Sequence, residues 1–239
     1  MVKSLIKQIC PPVILNLFRS FRKKNEGKPG KDDLPKTIMD HPENQDLDLY
    51  WTPEMAKILD EWGTGNVWNE IQLLLASCKG KVLDIACGTG KTIELLKKFT
   101  NLEIYGCDIS DLLIKKGIER GIEPNKLLVC DATKTSYFDN EFDYSYSIGS
   151  LEHFTLGGID AFIQESHRIT SKASFHMIPT SRSQSNQGWI KTTQSYFNNS
   201  EGWWYQKFKK YYSSVYIIPS KWEDDISYGI WCVCIKDIQ

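Results

Sequence analysis

Apolar residues in this chain repeat first at helical spacing. From Lys81 onward they come in short runs that alternate with helical stretches. Val13, Ile14, Leu17, Phe18 and Phe21 share one helical face, with Pro12 at a first-turn position. Residues 25–37, "NEGKPGKDDLPKT", hold Gly, Pro and charge with no apolar period and predict a linker. Thr52-Pro53-Glu54 is a helix start, with a hydroxyl cap, a proline in the first turn and an acid at the positive end of the dipole. Asn66 caps a second predicted helix, with Ile71, Leu74, Leu75 and Cys78 on one face and Gly80 as its stop.

The later runs predict strands at 81–86, 103–107, 127–130, 143–148 and 173–178. Between them, helices are predicted at 91–99, 111–120 and 158–169, the second capped by Ser110 and stopped by Gly121. Strand and helix alternating at this interval predict an α/β fold with a doubly wound parallel sheet. Two final strand-like runs, 214–219 and 228–236, have no helix between them and predict an antiparallel edge.

Composition adds limits. The 239 residues carry a net charge of −1, so no global field favours nucleic acid. The seven cysteines are scattered and odd in number, which predicts reduced thiols and a cytoplasmic protein. No C-x-x-C pair points to structural zinc. Charge is uneven, however. Residues 1–24 contain Lys3, Lys7, Arg19, Arg22, Lys23 and Lys24 and no acid. Their apolar run is too short to span a bilayer, and no small-residue cleavage site follows. A basic amphipathic helix on a tether fits the inner, anionic face of a membrane; folding back onto the domain is the alternative. The expected organisation is therefore a basic segment at 1–24, a linker at 25–37 and one domain at 38–239.

Residues 82–92, "VLDIACGTGKT", pose the ligand question. A P-loop needs its first glycine at position 85, which is Ile85. A dinucleotide fingerprint needs its third glycine at position 93, where Ile93 would hold helix and strand apart. Asp84, inside the strand end, opposes a pyrophosphate but suits a cation such as S-adenosylmethionine, whose ammonium and sulfonium are both positive. Gly88 and Gly90 let backbone approach a ligand closely. Asp108 ends the second predicted strand, 20 residues past Gly88, where a carboxylate accepts from ribose hydroxyls. Asp131 follows the third. These acids share the carboxyl edge, where open α/β sheets bind ligands; helix capping alone is the competing explanation.

The pieces "VLDIACGTG" (82–90), "IYGCDIS" (104–110), "CDA" (130–132) and "FDYSYSIGSLEHF" (142–154) together resemble the class I S-adenosylmethionine-dependent methyltransferases over roughly residues 66–178. More loosely, the chain resembles methyltransferases of bacterial surface-polysaccharide gene clusters of the O-antigen type. The resemblance implies a Rossmann-like, seven-stranded sheet whose last two strands are antiparallel. It also implies cofactor contacts from Asp84, Ala86, Gly88, Gly90, Asp108, Ile109, Asp131, Ala132, Ser147 and Ile148.

The acceptor is narrowed by exclusion. After the fourth predicted strand the chain reads "SIGSLEH", without the prolines of base N-methylation or the Pro-Cys of cytosine methylation. Glu152 is the only acid there, which predicts no catalytic metal. His153 is the candidate general base for a hydroxyl acceptor, with Glu152 beside it; His153 orienting the loop is the alternative. His176 is expected to be a hydrogen-bonded core residue. Trp204, Phe208, Tyr211 and Tyr212 fall on one helical face toward the core. Trp189, Trp203 and Trp222 are left as flat surfaces, with Ser181, Arg182, Ser183, Asn198 and Asn199 as hydrogen-bonding groups. That set suits a sugar, although the same aromatics also suit a small core. The expected function is O-methylation of a sugar hydroxyl on a surface glycan or its lipid-linked precursor. A phenol or quinone O-methyltransferase and a non-catalytic cofactor-binding scaffold are the alternatives.

Overall fold

The computed structural model describes residues 45–192 and 194–236. The expectations for the basic segment 1–24 and the linker 25–37 lie outside them. A 3-10 turn at Leu47–Trp51 opens the described chain, followed by helices α1 (Pro53–Glu61) and α2 (Val67–Leu75). The expected caps form: Thr52 Oγ1 accepts from the Met55 N–H and Asn66 Oδ1 from the Val67 N–H. Helix α2 ends before Gly80, which instead starts the first strand with φ 114°.

Strands β1 (Gly80–Ile85), β2 (Leu102–Asp108), β3 (Leu127–Val129) and β4 (Phe142–Ile148) alternate with α3 (Lys91–Leu96), α4 (Asp111–Glu119) and α5 (Leu156–Ile169). The long β5 (Thr170–Ser181) leaves the sheet for a short hairpin, β6 (Trp189–Ile190) and β7 (Tyr196–Phe197). Helix α6 (Glu201–Lys209) then leads to β8 (Ser214–Glu223) and β9 (Ser227–Ile235). The seven-stranded sheet has the order β3-β2-β1-β4-β5-β9-β8. The first five strands are parallel and β9 is antiparallel to both neighbours. The order reverses beside β1, so the ends of β1, β2 and β4 open a crevice at their carboxyl edge.

Period-two alternation sends neighbouring residues to two separate cores. Leu83, Ile85 and Phe142 meet Phe162 of α5 and Trp204 and Phe208 of α6 on one face. Val82 and Tyr146 meet Ile71 of α2, Ile93 of α3 and Trp231 of β9 on the other. Trp204, Phe208 and Tyr212 are buried, as the helical face requires. His176 is buried in this core: its Nδ1 lies 2.9 Å from Ser147 Oγ and its ring stacks on Phe208. Burial pushes its pKa down to about 3, so it is neutral.

Candidate active site

The crevice is a cleft of about 340 Å³, within the range of small-molecule sites. Its floor is the turn after β1. Ala86 has φ 59° and Gly88 φ 55°, both left-handed, which turns the chain sharply away from the strand. Gly88 N–H then points back to Asp108 Oδ2, 2.9 Å away, while Ser110 N–H donates to Asp108 Oδ1 at 2.9 Å. The carboxylate at the end of β2 therefore organises both the glycine turn and the start of α4. Burial raises its pKa and the backbone donors oppose that rise.

Asp84 is deeper, 3% exposed. Thr92 Oγ1 donates to it, and Tyr146 Oη donates to Thr92 Oγ1 at 3.2 Å. Burial dominates and pushes the Asp84 carboxyl up to about 7, with the nearby Asp108 charge adding to the rise. Among the described residues no ion pair offsets that burial. Asp131 is exposed at the cleft edge, its Oδ1 accepting from Thr133 N–H at 2.8 Å, while Ala132 is buried and Ile109 and Ile148 line the walls.

His153 also lines the cleft, from a 3-10 turn at Leu151–His153 just past β4. Its Nδ1 lies 2.8 Å from the carbonyl oxygen of Ser195. A carbonyl only accepts, so Nδ1 carries the proton and Nε2 presents a lone pair. Burial lowers the His153 pKa, while the Ser195 carbonyl and the Asp46 charge oppose the shift. Glu152 Oε1 lies 3.7 Å from His153 Nε2. Its other oxygen, Oε2, is buried and has no hydrogen-bond partner among the described residues. Burial pushes the Glu152 carboxyl up to about 8, so it is mostly neutral at pH 7.

Three expected site residues stand elsewhere. Gly90 is outside the lining; it caps α3 with φ 71°, and a Cβ there would collide with Ile122 of the loop after α4. Ser147 also misses the cleft. On β4 it alternates with Tyr146 and Ile148, so its hydroxyl faces α5 and bonds His176. Glu152 lies behind the lining, against Gly149 and His153. Asp84, Ala86, Gly88, Asp108, Ile109, Asp131, Ala132, Ile148 and His153 all line one cleft.

The expected aromatic platform is not at the cleft. Trp189 is buried against Phe197, Trp203 stacks on Phe197 at 5.9 Å, and Trp222 meets Trp62 edge-on. Asn198, Asn199 and Ser181 are buried too. Asn198 bonds Gln187 and Ser227, and Asn199 accepts from Gly188 N–H. Arg182 pairs with Glu223. These groups close the β6–β7 hairpin onto the sheet.

The sequence reading missed the residues that cover the cleft, Gln45, Asp46, Leu47, Tyr50, Leu59 and Trp62. They come from the opening 3-10 turn and the two residues before it, from α1 and from Trp62 at its C-cap. Tyr50 Oη accepts from Gln194 Nε2 at 2.8 Å, its carbonyl accepts from Ser110 Oγ at 2.7 Å, and Trp51 Nε1 donates to Asp111 at 2.8 Å. Arg120 bridges Asp60 of α1 and Glu94 of α3. The Thr52-Pro53-Glu54 start was a visible signal for α1, but the "LDLYW" stretch before it carries no period.

Residues 82–173 match the family model described as a methyltransferase domain. A probable tRNA methyltransferase 9B of Mus musculus is 34% identical over 90 residues, 37% of this chain and 19% of that protein. The ubiquinone/menaquinone biosynthesis C-methyltransferase UbiE of Burkholderia orbicola is 29% identical over 126 residues, 48% of this chain and 50% of that protein. This chain thus spans half or less of the length of these curated relatives. Among solved structures, phospholethanolamine N-methyltransferase 2 of Haemonchus contortus, in complex with phosphomonomethylethanolamine and S-adenosylhomocysteine, shares the fold. Its TM-score is 0.62 at 16% identity, over 80% of this chain and 59% of that one.

Proposed function

We propose, on the premise that residues 82–173 belong to a class I S-adenosylmethionine-dependent methyltransferase domain, that this chain methylates a hydroxyl of a sugar-containing acceptor. The fit to the cofactor rests on the cleft itself. Gly88 leaves the floor without a side chain, Asp108 offers acceptors for vicinal hydroxyls, and Asp84 is a buried carboxyl with no ion pair among the described residues. When bound, the cofactor supplies an electrophilic methyl group. Asp108 would hold its ribose, Ile109, Asp131 and Ala132 its adenine, and Asp84 its ammonium. His153 Nε2 accepts the hydroxyl proton as the oxygen becomes a nucleophile. A proton on Nε2 places positive charge 3.7 Å from Glu152, which favours ionisation of that carboxyl.

The observation that carries this reading is the contact of His153 Nδ1 with the Ser195 carbonyl, which assigns the proton to Nδ1 and leaves Nε2 to accept. The polar groups around it support a hydroxyl-rich acceptor. Gln45 and Gln194 each donate one amide N–H, to His153 and Tyr50, and their carbonyl oxygens can accept from an incoming hydroxyl. A second reading, a phenol or quinol acceptor, is favoured by the UbiE similarity and by Tyr50, Trp62 and Phe154 in the lining.

Radiolabelled methyl transfer to lipid-linked glycan, nucleotide-sugar and quinol substrates separates the two. Labelled glycan or sugar is the expected outcome. Label in quinol alone would replace the sugar reading, and label in none of them, with cofactor still bound, would support a scaffold role.

A lipid-linked acceptor fits the six cations of residues 1–24, which we place at an anionic bilayer. Each contributes about 1 kcal/mol near such a surface at physiological salt. The full chain should co-sediment with phosphatidylserine vesicles and release as salt is raised. Equal sedimentation with neutral vesicles would remove this role.

A further inference from the structure

The segment Gln45–Tyr50, a strap that lines the cleft, touches His153 through the β6–β7 hairpin, and the contact is a short chain of hydrogen bonds. Asp46 Oδ2 accepts from the Ser195 N–H at 3.2 Å. The carbonyl of the same Ser195 accepts from His153 Nδ1–H at 2.8 Å. Gln45 Nε2 donates to the main-chain carbonyl of His153 at 3.0 Å, fixing the backbone end of the same residue. Ser195 is 4% exposed, and the next residue, Tyr196, is paired in β7 with Ile190. The strand therefore holds Ser195 on its downstream side, Gln194 is bonded to Tyr50 and Thr192 on its upstream side, and Asp46 bonds the Ser195 N–H itself.

We propose that Asp46 is a positioning residue for the base: it fixes Ser195, and through the Ser195 carbonyl it keeps the His153 imidazole with Nε2 turned to the acceptor. This rests on the assignment of His153 as the base. A half-buried imidazole without that carbonyl has no reason to keep its proton on Nδ1, and the wrong tautomer presents an N–H where a lone pair is needed. Asp46 also brings charge. The titratable groups around the ring are Glu152 on its own turn, Asp46 on the strap and Tyr196 on β7, whose ring centroid is 6.3 Å away. Among them Asp46 raises the His153 pKa against the lowering by burial. The strap and the hairpin are joined a second time by Tyr50 and Gln194, so the base is complete only with both in place.

Two variants of the full chain separate geometry from charge. Asp46→Asn keeps an oxygen for the Ser195 N–H and loses the charge; Asp46→Ala loses both. Nitrogen-15 NMR of the histidine rings reads tautomer and pKa without any acceptor. In wild type His153 should be protonated at Nδ1. Asp46→Ala should give mixed tautomers, while Asp46→Asn should keep Nδ1–H and titrate at lower pH. In the methyl-transfer assay Asp46→Ala should lower kcat about tenfold, the size of one lost charged hydrogen bond, with affinity for S-adenosylhomocysteine unchanged. Asp46→Asn should recover most of kcat, with the acid limb of its pH profile moved down. An unchanged tautomer and pKa in both variants overturns the proposal. Altered NMR with unchanged kcat would leave the hydrogen-bond chain standing and overturn His153 as the base.

Discussion

Replacing His153 with alanine should lower kcat by about 10²–10⁴, the usual loss when a general base is removed, while cofactor affinity stays unchanged. The separation follows from the geometry. His153 stands past β4 and is bonded to Ser195, while the acids at the ends of β1 and β2 are bonded to Thr92, Gly88 and Ser110. Its Nδ1 is committed to the Ser195 carbonyl, so only Nε2 is available for chemistry. A sugar hydroxyl is a weak nucleophile until its proton leaves, and no other imidazole lines the cleft among the described residues. His176 is no rival, since it is buried between Ser147 and Phe208. Steady-state methyl transfer with the accepted substrate is the check. A loss under about threefold, far short of the general-base range, would reduce His153 to a loop-orienting role and leave catalysis to alignment alone.

Asp108→Ala should weaken S-adenosylmethionine binding ten- to a hundredfold, since charge-assisted hydrogen bonds contribute about 1.5–3 kcal/mol. Two effects combine. The ribose loses its acceptors, and the Gly88 and Ser110 N–H groups lose the carboxylate that orients them. Asp108→Asn, which keeps one acceptor, should fall between. Titration calorimetry reads both, and unchanged affinity in both variants would sink the ribose assignment. The same titrations run against pH test Asp84. Its carboxyl sits at about 7 in the free protein because burial opposes its charge. A bound ammonium favours the ionised form and lowers that pKa, so binding releases a proton. Affinity should be full above about pH 7 and fall as pH drops below it. Affinity that is flat from pH 8 to about 5.5 would place the ammonium away from Asp84.

Much of this was legible in the sequence because it is local. The acid-then-glycine pattern of Asp84 to Gly90, the acid ending β2 and the caps at Thr52, Asn66 and Ser110 are each written within a few residues. Period-two alternation also separates Ser147 from Tyr146 and Ile148, and applying it along β4 would have turned the Ser147 hydroxyl away from the cleft. The aromatic platform could not be judged that way. Whether Trp189 and Trp203 face solvent depends on the hairpin pairing Trp189 with Phe197, a contact without local signal. The strap is harder still. Asp46 meets Ser195 across 149 positions, and neither residue lies in a recognisable pattern. Long-range hydrogen bonds between irregular segments are set by the packed fold and have no period of their own.

A crystal structure of the full chain with S-adenosylhomocysteine is the most direct test that one cleft serves both cofactor and base. The ligand should lie along the ends of β1, β2 and β4, with its ribose on Asp108, its amino group toward Asp84 and its sulfur on the His153 side. A ligand bound elsewhere, or bound there with its sulfur turned away from His153, would contradict that.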